Sequence, residues 1–235
     1  MPELSIEELV DRFPEFRVAF VIAEPLVIQA ERSLRLERDI AAAESERRRR
    51  WDGTELSAIP GVAAWRAANK GFGVKRTSYR SSVERLIKRV KAGEPLPRIN
   101  ALVDLYNMVS LESGLCLGCD DLDNTSGGLV FRYARPDDTF VDMGAEDGAD
   151  PNDPPKEGEV VYADARQALC RRWNWRQDAR TASSLETRRA VLTVQSNGAG
   201  DAAAAADRLA ELIGRECGAK SSIAILDSKR PTAEV

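Results

Sequence analysis

The run Cys170-Arg171-Arg172-Trp173-Asn174-Trp175-Arg176-Gln177 sets three guanidinium groups and two carboxamides within eight residues. Such donors suit a phosphate or a developing oxyanion. On an extended strand, alternation puts Arg172, Asn174 and Arg176 on one face and Arg171, Trp173 and Trp175 on the other. The apolar mass of the tryptophans assigns the first face to a pocket. In the competing reading the arginines only snorkel over a sheet. Asp120, Asp121 and Asp123 supply carboxylates that can act as bases, although Asp clusters in turns commonly satisfy backbone amides. Thr181 and Thr187 carry hydroxyls that can hydrogen-bond a ligand or cap a helix. Arg98, Asn100, Asp104 and Asn107 form a further polar group around the start of one predicted helix.

The chain contains no histidine. Ser-His, Cys-His and His-ligated metal mechanisms are therefore excluded, and chemistry falls to carboxylates, amines, hydroxyls, backbone groups or the substrate itself. Cys116 and Cys119 form a CxxC, but zinc would then need Cys170 and Cys217, whose wide spacing provides no second ligand hairpin. The four cysteines are read as reduced thiols, with neither a metal nor an organic cofactor predicted.

The elements that must position these groups show in the hydrophobic pattern. Residues 17–29 are rich in Val, Ile and Phe and predict a strand that turns at Pro25. A charged helix over 31–51 follows, ending in Arg47-Arg48-Arg49-Arg50, and another runs over 60–69. Ser81 and Glu84 predict a capping box, behind which Val83, Leu86, Ile87 and Val90 fall on one buried helical face. Asn100 predicts the cap of a helix over 101–110 that is apolar nearly all round. Strands are predicted at 129–133, 159–163, 167–173 and 191–195, with a short helix capped by Ser183 and Glu186 before the last. Residues 201–217 form an amphipathic helix with Leu209, Leu212 and Ile213 inward.

Charge is unevenly spread around a net value of −4. Residues 75–98 hold eight cations, among them Lys75, Arg76, Arg85, Lys88 and Arg89, against Glu84 and Glu94. Residues 166–189 hold seven arginines against Asp178 and Glu186, whereas 137–159 hold nine acids and one lysine. The basic segments predict either a phosphate-facing patch or salt bridges to the acidic loop at 136–158. The longest apolar stretches, such as 18–27, are too short to span a bilayer, and the first residues lack the pattern of a signal peptide. The expected location is the cytoplasm.

Three segments in order carry a resemblance: Leu96-Pro97-Arg98-Ile99-Asn100 running on to Asn107 and then the 114–123 turn (GLCLGCDDLD), EVVYAD at 159–164, and CRRWNWRQ at 170–177 with Thr181 and Thr187. Together they resemble the editing domain of the phenylalanyl-tRNA synthetase β subunit, most of all its freestanding single-domain relatives, over roughly residues 51–196. The resemblance implies an α+β fold: one three-layer domain over 1–235, with a β-sandwich-like mixed sheet flanked by helices. It implies a pocket for the aminoacyl end of tRNA, with tRNA or aminoacyl-tRNA as partner and no DNA or membrane. Gly118 stands where the synthetase turn has its His, and Asn174-Trp175-Arg176-Gln177 where it has Gly-Gly and an acid, so those editing residues do not carry over. The expected function is trans-editing, hydrolysis of the ester in a mischarged aminoacyl-tRNA. A non-catalytic tRNA- or amino-acid-binding module and a regulatory subunit of a translation complex are the alternatives. The resulting assignment gives Arg172, Asn174 and Gln177 to catalysis; Arg98, Asn100, Asn107, Asp120, Arg176, Thr181 and Thr187 to substrate binding; and Arg85, Lys88 and Arg89 to the tRNA backbone.

Overall fold

In the computed structural model, residues 3–74, 79–145 and 150–234 are described; Lys75, Arg76 and positions 146–149 of the acidic loop lie outside them. The chain opens with β1 (Glu3–Ser5) and β2 (Phe16–Glu24) and continues through α1 (Leu34–Arg50), α2 (Pro60–Gly71), α3 (Ser82–Lys91) and α4 (Ala101–Ser113). Then come β3 (Cys116–Asp121), β4 (Leu129–Tyr133), β5 (Val160–Ala163), β6 (Ala168–Arg171), β7 (Arg176–Gln177), β8 (Ala190–Asn197), α5 (Ala202–Cys217), β9 (Lys220–Leu226) and β10 (Thr232–Glu234).

These strands make two sheets. One is antiparallel, ordered β3-β8-β2-β9; the other is mixed, ordered β10-β1-β4-β5-β6-β7, with β1 and β4 parallel. The fold is therefore α+β, as expected. β2 is buried on both faces because its sequence is apolar at successive positions. Phe16 and Phe20, on one face, meet Phe131 of β4, and Phe20 also meets Tyr162 of β5, so the two sheets pack face to face through aromatic rings. α5 also packs on β2 and β9, burying Leu209, Leu212 and Ile213.

Local signals explain most helices. Asn100 caps α4, its side chain accepting from Val103 N at 2.9 Å. Arg47 and Arg48, from the basic end of α1, bond the carbonyls of Glu112 and Val90 and so tie α1 to α4 and α3. Gly61 is required at the start of α2: a Cβ there would lie 2.1 Å from the carbonyl oxygen of Gly114, the left-handed residue (φ +73°) that ends α4.

Four expectations need correction. Ser81 is the N-cap of α3 but its side chain makes no capping bond, and the Glu84 carboxylate pairs with Arg66 (2.7 Å) and Arg80 (3.2 Å) instead of completing the box. Residues 183–189 form a turn instead of a helix, because the Thr187 hydroxyl donates to Asp121 Oδ2 at 2.6 Å. Residues 172–175 are a tight turn between β6 and β7, with φ of 44° at Arg172 and 69° at Trp173, so strand alternation does not apply there. The acidic loop is pinned at several points: Asp138 pairs with Arg132 at 2.7 Å, and Phe140 is fully buried against Val161, Ala163 and Ala168.

Candidate functional site

The facing sheets and the helices α3 and α4 leave a cavity of about 970 Å³ between them. β3 contributes Leu117, Gly118 and Asp120, β8 contributes Thr193 and Gln195, and β5 contributes Tyr162. The 172–175 turn and β7 add Asn174, Trp175, Arg176 and Gln177. The mouth is basic: Arg85, Lys88 and Arg89 come from α3, with Arg80 just before it. The amphipathic pattern of α3 explains this placement, since Val83, Ile87 and Val90 point into the core and leave the cations on the opposite face.

Asp120 sits on the cavity wall and is 4% exposed. Thr181 Oγ1 donates to its Oδ1 at 2.6 Å, and Gln177 Nε2 donates to the same oxygen at 3.1 Å. Gln177 Nε2 also donates to the carbonyl of Cys119. Among the described residues Oδ2 accepts no hydrogen bond. Burial pushes the Asp120 carboxyl up to about 7; the bonds from Thr181 and Gln177 oppose the rise, and Asp178 and Asp164 add to it. Burial likewise raises the Tyr106 and Tyr162 phenols, which therefore stay protonated. Arg85 is open to solvent through the mouth but walled by protein on its other sides; this burial, then nearby Arg176, lowers its pKa.

The cavity wall carries unused hydrogen-bonding capacity. Asn174 Nδ2 donates to Gln195 Oε1 at 3.3 Å, and Gln195 Nε2 donates to Thr193 Oγ1 at 3.0 Å. Asn174 Oδ1 and the Tyr162 hydroxyl are buried and find no hydrogen-bond partner among the described residues. Buried polar atoms of this kind are costly unless a ligand or water completes them.

The structure thus brings Asn107, Asp120, Asn174, Arg176 and Gln177 to one cavity, with Arg85, Lys88 and Arg89 at its mouth. Five other predicted residues lie elsewhere. Arg172 borders a neighbouring smaller cavity, where Glu159 (3.0 Å) pairs with it and Tyr79 (3.8 Å) and Trp175 (4.6 Å) hold it by their rings. Arg98 is exposed and pairs with Glu37, and Asn100 is spent on its cap. Thr181 and Thr187 stand behind the cavity, bonding Asp120 and Asp121. Of the tryptophans, Trp173 is fully buried while Trp175 lines the cavity.

The two basic segments also part ways. The second is largely paired with acids: Arg171 with Glu159 and Asp153, Arg172 with Glu159, and Arg180 with Asp178, while Arg176 of the cavity wall keeps only a looser contact with Asp142 at 3.4 Å among the described residues. Arg85 and Lys88 make no ion pair among the described residues. Tyr162, Thr193 and Gln195 escaped sequence reasoning, although two polar residues at a spacing of two in the apolar run AVLTVQSN are a readable sign of a wetted strand face. Cys116 and Cys119 are both buried in β3, and among the described residues no group of three or more Cys, Asp or Glu side chains is arranged to hold a metal ion. No described helix is long and apolar enough to cross a membrane.

With this geometry in view, the chain belongs to the B3/4 domain family, whose profile matches residues 64–218. That span contains every residue that lines the cavity. A similar solved structure is the crystal structure of an N-terminal fragment of the phenylalanyl-tRNA synthetase beta-subunit from Pyrococcus horikoshii. It shares 11% identity at a TM-score of 0.46, over 93% of this chain and 50% of that one, so the present chain spans half of that fragment. No curated protein matches the chain.

Proposed function

We propose that the protein hydrolyses the ester bond of a mischarged aminoacyl-tRNA, acting in trans on the charged end of the tRNA. One observation carries this reading: a cavity with a basic mouth opens over a buried carboxyl group, Asp120, that is held by two hydrogen bonds through a single oxygen. A cavity of this size takes a ligand of the dimensions of an amino acid joined to a nucleoside. Arg85, Lys88 and Arg89 face the phosphates, Asn107 and Asn174 bond the aminoacyl group or the ribose, and Arg176 supplies positive charge near the ester. Gln177 acts through Asp120. Ester hydrolysis needs no histidine when a carboxylate can orient water.

The test is a deacylation screen in which tRNAs charged with each of the twenty amino acids are incubated with the protein and release of free amino acid is measured. At least one non-cognate ester is expected to be cleaved well above its spontaneous rate. If none is cleaved, the hydrolase reading fails. A second reading, binding of aminoacyl-tRNA without cleavage, is favoured by Asn174 Oδ1 and the Tyr162 hydroxyl, which lack partners among the described residues and which a ligand would satisfy whether or not it reacts. Retained charged tRNA in a filter-binding assay, with no release of amino acid, selects it.

A further inference from the structure

We propose that Asp120 is the general base of this hydrolysis, an inference that rests on the ester-hydrolase reading above. Its two oxygens have different jobs. Oδ1 is anchored by Thr181 from the segment after β7 and by Gln177 of β7, which fixes the plane of the carboxyl group. Oδ2, free of protein donors among the described residues, is left for a water at the cavity wall. Thr181 and Gln177 are thus positioning residues.

In the first step Oδ2 takes a proton from that water while the water oxygen forms a bond to the ester carbonyl carbon. The carbonyl π pair moves onto its oxygen, and the resulting oxyanion faces the positive charge of Arg85 and Arg176. Collapse restores the carbonyl and expels the ribose oxygen, which takes the proton back from Asp120. Free amino acid and uncharged tRNA leave, and the carboxylate is regenerated with no other reactant consumed.

The groups around this carboxyl decide its titration. Tyr162 of β5, Cys119 of β3, Cys170 of β6 and Tyr106 of α4 are all held protonated by burial and sense its charge. Asp178 and Asp164 raise it from the mixed-sheet side, whereas Arg85 of α3 and Arg176 of β7 are the cations on the cavity side. A carboxyl group poised near neutral pH by such a setting matches the demand on a general base.

The experiment uses the intact protein and the charged tRNA that the screen shows to be cleaved fastest. After subtraction of the spontaneous rate, wild-type kcat/KM should rise with pH through a midpoint near 7, the ionised form being the active one. Asp120→Asn should lower kcat at least a hundredfold, lose that pH limb and bind the charged tRNA as tightly as wild type. A folded Asp120→Asn variant that cleaves within threefold of wild type would overturn the role of Asp120 and leave the hydrolase reading intact. Should the variant fail to fold, the wild-type profile decides, and a rate without a carboxylate limb between pH 6 and 8 overturns the proposal. If no charged tRNA in the screen is cleaved, both readings fall together.

Discussion

Thr181 donates its hydroxyl to Asp120 across 2.6 Å, joining residues 61 positions apart into one buried unit. The bond favours the carboxylate, yet burial outweighs it and the group titrates at about 7. That balance has a consequence for stability as well as for chemistry.

The unfolded chain releases the Asp120 proton near pH 3.8, whereas the folded chain holds it to about 7. Stability from this site is thus fully present below about pH 4 and is lost as pH rises through 7. Asp120→Asn keeps the acceptor for Thr181 and removes the charge. At pH 8 the variant is expected to be more stable than wild type by about 2–4 kcal/mol, a gain that vanishes near pH 4. Urea denaturation at both pH values measures this, and equal stability at pH 8 would show that the carboxylate is already well solvated.

At the cavity mouth, changing Arg85, Lys88 and Arg89 together to Glu is expected to weaken tRNA binding by well over tenfold at moderate salt. Wild-type affinity should fall steeply as salt rises, and the variant's slope should be shallower, because each lost phosphate contact removes a released counterion. Filter binding across a salt series reads both. Unchanged affinity would move the tRNA surface away from α3.

Arg172 is expected to matter for the fold and not for the reaction. Removing it leaves Glu159 with Arg171 as its remaining partner and strips the cation from between the Tyr79 and Trp175 rings. Arg172→Ala should cost about 2 kcal/mol in stability, with deacylation per folded molecule within about threefold of wild type. A hundredfold loss of rate at an unchanged melting temperature would return Arg172 to the chemistry.

Gly61→Ala provides a test of packing at a position outside the cavity lining. The added methyl group would meet the Gly114 carbonyl, backbone that cannot swing aside, so the start of α2 must lift away from the end of α4. A loss of about 3 kcal/mol in stability is expected. Gly53→Ala, with nothing within 4 Å of its added carbon but a φ of +66°, separates backbone strain from this collision and should cost less.

Much of the frame was legible where apolar spacing is long and regular. The stripe on α3, the cap and extensive burial of α4, the inward face of α5 and the run that becomes β2 all stand as the sequence reads. Strands of three residues such as β1 and β10 carry too few positions to show a period, and β9 was missed although its run Ser-Ile-Ala-Ile-Leu hints at it. The capping boxes misled because tertiary contacts are invisible in local spacing: Arg66 holds the Glu84 carboxylate, and Thr187 ties the 183–189 turn to Asp121. The candidate site was half legible: residue type pointed to Asn174, Gln177 and Asp120, but their meeting depends on pairing between distant strands. Arg172 went astray because two successive left-handed residues turn the chain where alternation assumed a straight strand.

The order of strands in the antiparallel sheet bears on how the chain is made. β2 comes early, yet its two neighbours are β8 and β9, so residues 16–24 wait for residues 190–197 and 220–226 before either edge is paired. At ordinary synthesis speeds that interval is on the order of ten seconds or more. Throughout it, the nascent run Val-Ala-Phe-Val-Ile-Ala carries bare backbone donors and acceptors and an apolar surface, the features that draw strands of different chains together. Yield of folded protein should therefore depend on crowding among growing chains and on chaperones that hold early segments, more than on the stability of the finished fold.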